Sequence, residues 1–128
     1  YFYAAWRPQS AIPLADTDNN PATVADPAWT PSVPTPSHPE YPAAHSCTAG
    51  ALGELLFLYY RTNHVTYSFD STVTGTTRTY TDTDGLTEES KVARIYGGMH
   101  FRYSTMAGAA LGRNSANWTM THYFGPRN

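Results

Sequence analysis

Proline is crowded into one end of this chain. Nine of the ten prolines lie in residues 1–42, and the tenth is Pro126. Each proline fixes its own φ and gives up an N–H, so residues 1–43 read as extended, turn-rich loop with little helix of their own. Asp16-Thr17-Asp18-Asn19-Asn20-Pro21 is the clearest turn cluster in that stretch. The fold therefore has to be built from residues 44–128. Apolar residues gather in 49–60 and 92–111, a thin supply for an independent core in 128 residues.

Residues 44–62 are small or apolar around nearly the whole circumference, which predicts a buried helix rather than an amphipathic one. Gly50 and Gly53 lower its intrinsic propensity, and close approach by a neighbouring helix is the expected compensation. In 65–83, Val65, Tyr67 and Phe69 alternate with polar residues and a threonine-rich run follows Gly75, so a short β-hairpin or a loop is expected. Residues 87–120 read as two helices around a break at Gly97-Gly98, with Gly108 and Gly112 marking tight packing in the second. Tyr1–Trp6 reads as the end of a helix that Pro8 stops. The whole is a mainly α-helical bundle with a long Pro-rich loop and a short β-hairpin.

Composition excludes several functions. The formal net charge is −2 and Lys91 is the only lysine, so no basic patch is available to track a nucleic-acid backbone. The longest apolar run, Leu55–Tyr60, falls far short of a membrane span. The single cysteine, Cys47, forms no internal disulfide and no Cys-based zinc site. Scarce lysine, abundant Thr, Ser and Tyr, and the acceptor sequence Asn117-Trp118-Thr119 point to a secreted or extracytoplasmic protein, with Asn117 the possible glycosylation site.

The chemistry-bearing residues fall in three blocks. Arg94 stands six residues before His100, with the Gly97-Gly98 pair between them. His45 precedes a predicted helix whose first turn presents unpaired N–H groups. Arg7 lies further upstream, before Pro8. Guanidiniums clamp a tetrahedral oxyanion by charge-assisted bonds, of roughly 1.5–3 kcal/mol each, while two imidazoles divide nucleophile and acid–base work. Arg102 reads as solvated or structural, and His38, His64 and His122 as loop or surface residues.

These blocks resemble a known family. Trp6-Arg7-Pro8, Pro36-Ser37-His38-Pro39-Glu40-Tyr41-Pro42-Ala43-Ala44-His45 and Arg94-Ile95-Tyr96-Gly97-Gly98-Met99-His100-Phe101-Arg102 look like the signature blocks of the soluble vanadium-dependent haloperoxidases. That family shares a superfamily with the type 2 phosphatidic acid phosphatases and bacterial acid phosphatases. The resemblance implies a helical bundle larger than this chain can make, so the chain is expected to be the C-terminal part of a larger protein or a cleavage product. It implies vanadate as cofactor, with His100 as its ligand or as the nucleophile towards phosphorus, and His45 as acid–base partner. Arg7, Arg94 and the backbone N–H of Ala44 would bind the oxyanion. The substrates would be peroxide and halide, or a phosphoester, with no nucleic acid and no membrane span. The partner would be the missing N-terminal segment or further copies of the chain.

The sequence departs from the family pattern at four points. Ala43 replaces a serine, Ala44 replaces a glycine, and the family's lysine would fall immediately before Tyr1. Ser104 stands where the phosphatase version has an aspartate. These departures raise an alternative: an inactive family member or processed fragment with a structural or assembly role.

Overall fold

A computed structural model of the protein describes residues 2–124. Its first helix corrects the expectation for the N-terminal end. Pro8 opens a helix instead of stopping one: α1 spans Pro8–Ala11, with Arg7 extended before it at φ −74° and ψ 157°. Residues 4–7 carry no regular structure, and Tyr1 lies outside the described residues. Proline fits the first turn of a helix because the N–H it lacks would be unpaired there anyway. A 3-10 turn over Ala15–Thr17 comes next, and the remaining Pro-rich stretch runs on without regular elements to Ala43.

The second half carries the architecture. Helix α2 spans Ala44–Tyr60, strands β1 (Tyr67–Asp70) and β2 (Thr77–Tyr80) form a hairpin, and helices α3 (Gly85–Tyr96) and α4 (Arg102–Tyr123) complete the bundle. The strands pair antiparallel, with Tyr67 opposite Tyr80 and Asp70 opposite Thr77. Arg78 on the hairpin pairs with Glu89 on α3 at 3.1 Å, and Arg113 on α4 pairs with Asp84 at the start of α3 at 2.6 Å.

The core lies between α2 and α4 and is made of small residues. A Cβ at Gly50 would lie 2.5 Å from the Ala109 carbonyl oxygen, and one at Gly108 or Gly112 would overlap the carbonyl of Ala43 or Cys47. The helix backbones thus touch, as the glycines imply. Gly53 differs: its neighbour is the Thr83 carbonyl of the segment before α3, not a helix.

The all-round apolar character of α2 is not matched by burial. Ser46, Ala49, Gly50 and Gly53 are buried, whereas Leu55, Phe57, Tyr59 and Tyr60 are exposed. The physical reason is supply. An apolar circumference asks for neighbours on every side, and these residues provide α4 on one side and part of α3.

Candidate functional site

The site forms where three segments meet: the end of the Pro-rich stretch, the start of α2, and the junction between α3 and α4. The junction fixes Arg94 and His100 within one compact turn. Gly98 adopts φ +72°, which lets the chain double back so that the N–H groups of Met99 and His100 both donate to the Arg94 carbonyl, at 3.0 and 3.2 Å. A Cβ on Gly98 would meet the Trp29 ring at 2.8 Å, so the Pro-rich segment presses directly on this turn.

His100 is buried. Its Nδ1–H donates to the Glu40 carbonyl at 2.8 Å, which leaves the Nε2 lone pair as the free edge of the ring. That edge lies 3.4 Å from Nη1 of Arg7. Burial, and then the Arg7 charge, lower the His100 pKa to about 4, so the ring is a neutral base across the physiological range. A neutral Nε2 held in one tautomer is what a metal ligand or a phosphorus-directed nucleophile requires.

The two arginines differ. Arg7 already commits its N–H groups to backbone carbonyls: Nη1 donates to Met99 at 2.6 Å, Nε to His38 at 3.2 Å, and Nη2 to His38 and to Pro39. It ties the Pro-rich segment to the His100 turn and brings its charge along. Arg94, on the last turn of α3, has Nε and Nη2 buried with no hydrogen-bond partner among the described residues. Burial, and then the Arg7 charge, lower its pKa. Two buried guanidinium nitrogens without a partner, beside the charge of Arg7, are an arrangement able to accept an anion.

His45 sits on the exposed first turn of α2. Its pKa is lowered by desolvation first, then by Arg94, His38 and Arg7, which places it among the same charges. Ala44 precedes it at the first helical position, after an Ala43 that offers no side-chain cap, so the N–H groups of this turn have no partner within the helix.

Sequence reasoning missed His38. Its ring lies 5.7 Å from that of His45 and 5.7 Å from that of His100, bridging the two expected site histidines. Its Nε2 is buried without a partner. The signal was its position inside the same block as His45; spacing alone did not mark it. His64 and His122 are exposed, as expected, and so is Arg102 at the start of α4. Asn117 is exposed in the middle of α4, where its amide donates to Glu54 at 3.2 Å.

A cavity of about 490 Å³ opens beside these histidines, its lining including His38, Ala44 and His45 together with Leu52, Phe69 and Leu86. Among the described residues no group of three or more His, Cys, Asp or Glu side chains is placed to hold a metal cation. The local charge suits an oxyanion instead.

A profile of the VCPO second helical-bundle domain matches residues 1–126. The chain belongs to that family. Solved VCPO-type folds agree. A bacterial vanadium-dependent iodoperoxidase is similar over 75% of this chain, with 26% identity and a TM-score of 0.68. Holo and apo forms of a bacterial vanadium-dependent chloroperoxidase share the fold, at 16% and 18% identity over 77% and 76% of this chain, each with a TM-score of 0.57. The matched region spans about a quarter of each of those chains: 24%, 24% and 25%. No curated protein sequence matches.

Within the VCPO family pattern, the departures now have locations. Ala43 is fully buried; its N–H donates to the Ser104 carbonyl, and its own carbonyl accepts from Cys47. The expected serine hydroxyl is therefore absent at a packed position. Ala44, in place of the glycine, is exposed. Lys91 is paired with Glu88 at 2.6 Å on α3. No helix among the described residues is long and apolar enough to cross a membrane.

Proposed function

We propose that this chain carries the oxyanion pocket of a vanadium haloperoxidase-type enzyme. The observation behind it is the half-buried guanidinium of Arg94, with Nε and Nη2 buried and unpartnered, in the same site as the neutral, tautomer-fixed Nε2 of His100. Arg94 supplies the bonds to the equatorial oxygens, with Arg7 adding charge and the Ala44 N–H a further donor. His100 offers Nε2 as the ligand atom for vanadate. His45, on the exposed side, is the group that gives or takes the proton. Bound vanadate would supply the Lewis-acid centre at which hydrogen peroxide is activated for halide oxidation. The same residues suit phosphomonoester hydrolysis: Nε2 attacks phosphorus to form a phosphohistidine as the alcohol leaves with a proton from His45, and water then releases phosphate.

The exposed apolar side of α2 fits a role as one part of a larger helical body, completed by an N-terminal segment or by further copies. A secreted or extracytoplasmic setting, with sugar at Asn117, belongs to the same reading. An inactive, structural descendant is the second reading, favoured by Ala43 and Ala44 where the family has a serine and a glycine.

The test is activity with and without vanadate. The protein is expected to oxidise iodide or bromide with peroxide once vanadate is added, or to hydrolyse a chromogenic phosphomonoester, and to lose either activity in His100→Ala. Absence of both activities in a folded sample would favour the structural reading.

A further inference from the structure

Glu40 stands five residues before His45, and its side chain is wholly buried. One carboxyl oxygen accepts the Phe101 N–H at 3.0 Å and the other accepts the Tyr103 hydroxyl at 3.2 Å. The first of these oxygens also lies 3.5 Å from Nδ1 of His100. The Glu40 backbone carbonyl takes the Nδ1–H itself, and the Ser104 hydroxyl as well. One residue of the Pro-rich segment thus holds four features of the facing half of the site: the His100 ring, the Phe101 amide, the Tyr103 hydroxyl and the Ser104 hydroxyl.

This placement is costly unless it serves the ring. A buried carboxyl group away from water is unfavourable, and no arginine or lysine bonds it among the described residues. Helix α4 has no side-chain cap of its own, but a neutral amide could accept the Phe101 N–H equally well. What an amide would change is the group at the Nδ1 edge of His100, where a carboxyl oxygen lies 3.5 Å from Nδ1. Arg7 lies at the opposite, Nε2 edge. The ring is therefore held between a carboxyl group and a guanidinium, with its lone pair directed to the cationic side.

We propose that Glu40 is a positioning residue for His100: its backbone carbonyl holds the Nδ1–H tautomer, and its carboxyl group, set between the Nδ1 edge and the Phe101 N–H, fixes the ring's orientation and raises the donor strength of Nε2 towards a bound oxyanion. The proposal deepens the oxyanion-site reading and rests on it for the word "oxyanion". Its claim about the ring can be tested separately. A carboxylate behind a ligand histidine typically matters by ~10–100-fold in affinity for the bound centre.

The experiment compares wild type with Glu40→Gln and with Tyr103→Phe. Three quantities are read: thermal melting, the ¹⁵N resonances of the His100 ring, and orthovanadate affinity by calorimetry. Glu40→Gln keeps volume and an acceptor for Phe101, so it is expected to melt close to wild type. The backbone carbonyl still holds the Nδ1–H, so the tautomer should persist while the ring nitrogen resonances shift, and vanadate should bind ~10-fold or more weakly. Tyr103→Phe leaves the carboxyl group in place and should leave the ring resonances unchanged. Unshifted ring resonances in Glu40→Gln with wild-type vanadate affinity would overturn the proposal. If wild-type protein binds no vanadate, the oxyanion reading fails on that arm, and the ring resonances alone decide the role of Glu40. Should Glu40→Gln fail to fold, Glu40→Asp takes its place. It retains a carboxyl group on a shorter stem and should weaken vanadate binding less than removal of the side chain in Glu40→Ala; equal weakening in the two would count against the proposal.

Discussion

Two regions a few residues apart obey opposite rules. Between α2 and α4 the backbones are in contact: Gly50, Gly108 and Gly112 let backbone meet backbone, and a single added Cβ would overlap a carbonyl. At the N-terminal ends of the same helices, buried polar groups are left open. Arg94 keeps two buried nitrogens unpaired, and His38 keeps a buried Nε2 unpaired. Folding alone favours the first arrangement and penalises the second. The difference is one of charge: the unpartnered groups at this end are a guanidinium and an imidazole, which is the contrast the proposed oxyanion role rests on.

The comparison can be broken most severely from the packed side. Gly112→Val places side-chain atoms on the Cys47 carbonyl and is expected to cost about 3 kcal/mol or more, abolishing a cooperative melt followed by circular dichroism.

A second test uses pH. The folded pKa of His100, about 4, lies below its ordinary value of 6.5. Above 6.5 the ring is neutral in both states and contributes no pH dependence. As pH falls from about 6.5 to about 4 the unfolded chain takes up the proton first, so stability is lost through that window, by about 3 kcal/mol for this group. Denaturant titrations at stepped pH should show the loss in wild type and a shallower one in His100→Gln.

Removing the open charge should act in the reverse direction. Arg94→Met removes a half-buried cation with two unpartnered nitrogens and is expected to raise stability by about 1 kcal/mol while weakening oxyanion binding tenfold or more. A variant that loses both stability and binding would instead make Arg94 part of the closed framework.

The smallest effect belongs to His38. In His38→Phe the ring stack is retained, so stability should stay within about 0.5 kcal/mol of wild type. The pKa of His45 should rise, because His38 is one of the groups that lower it. A proton NMR titration of His45 reads that shift directly.

Much of this was legible in the sequence, for different reasons in the two regions. Gly108 and Gly112 announced a close helix contact, because little else offsets the propensity lost at two helical glycines. The hairpin and the break at Gly97-Gly98 came from alternation and from glycine's access to positive φ. Pro8 was ambiguous, since the same residue ends one helix and begins another, and only the φ and ψ of Arg7 decide. The apolar circumference of α2 stated a demand for neighbours without stating which faces this chain would cover. In the site, Arg94, His100, Arg7 and His45 were readable from spacing and resemblance. His38 was not, because its partners are brought to it by the folding of the Pro-rich segment. Glu40 was hidden for the same reason, as its four contacts lie about sixty residues away. Arg7 was read as an anion ligand, yet its N–H groups are largely taken by carbonyls of His38, Pro39 and Met99. Backbone acceptors leave no mark in a sequence.

The central claim is that the open end holds an oxyanion through Arg94 and His100. A calorimetric titration with orthovanadate, run on wild type and on His100→Ala, tests it most directly. Micromolar binding in wild type that disappears in the variant is the expected result. No heat of binding in folded wild-type protein, or equal binding by the variant, would contradict it.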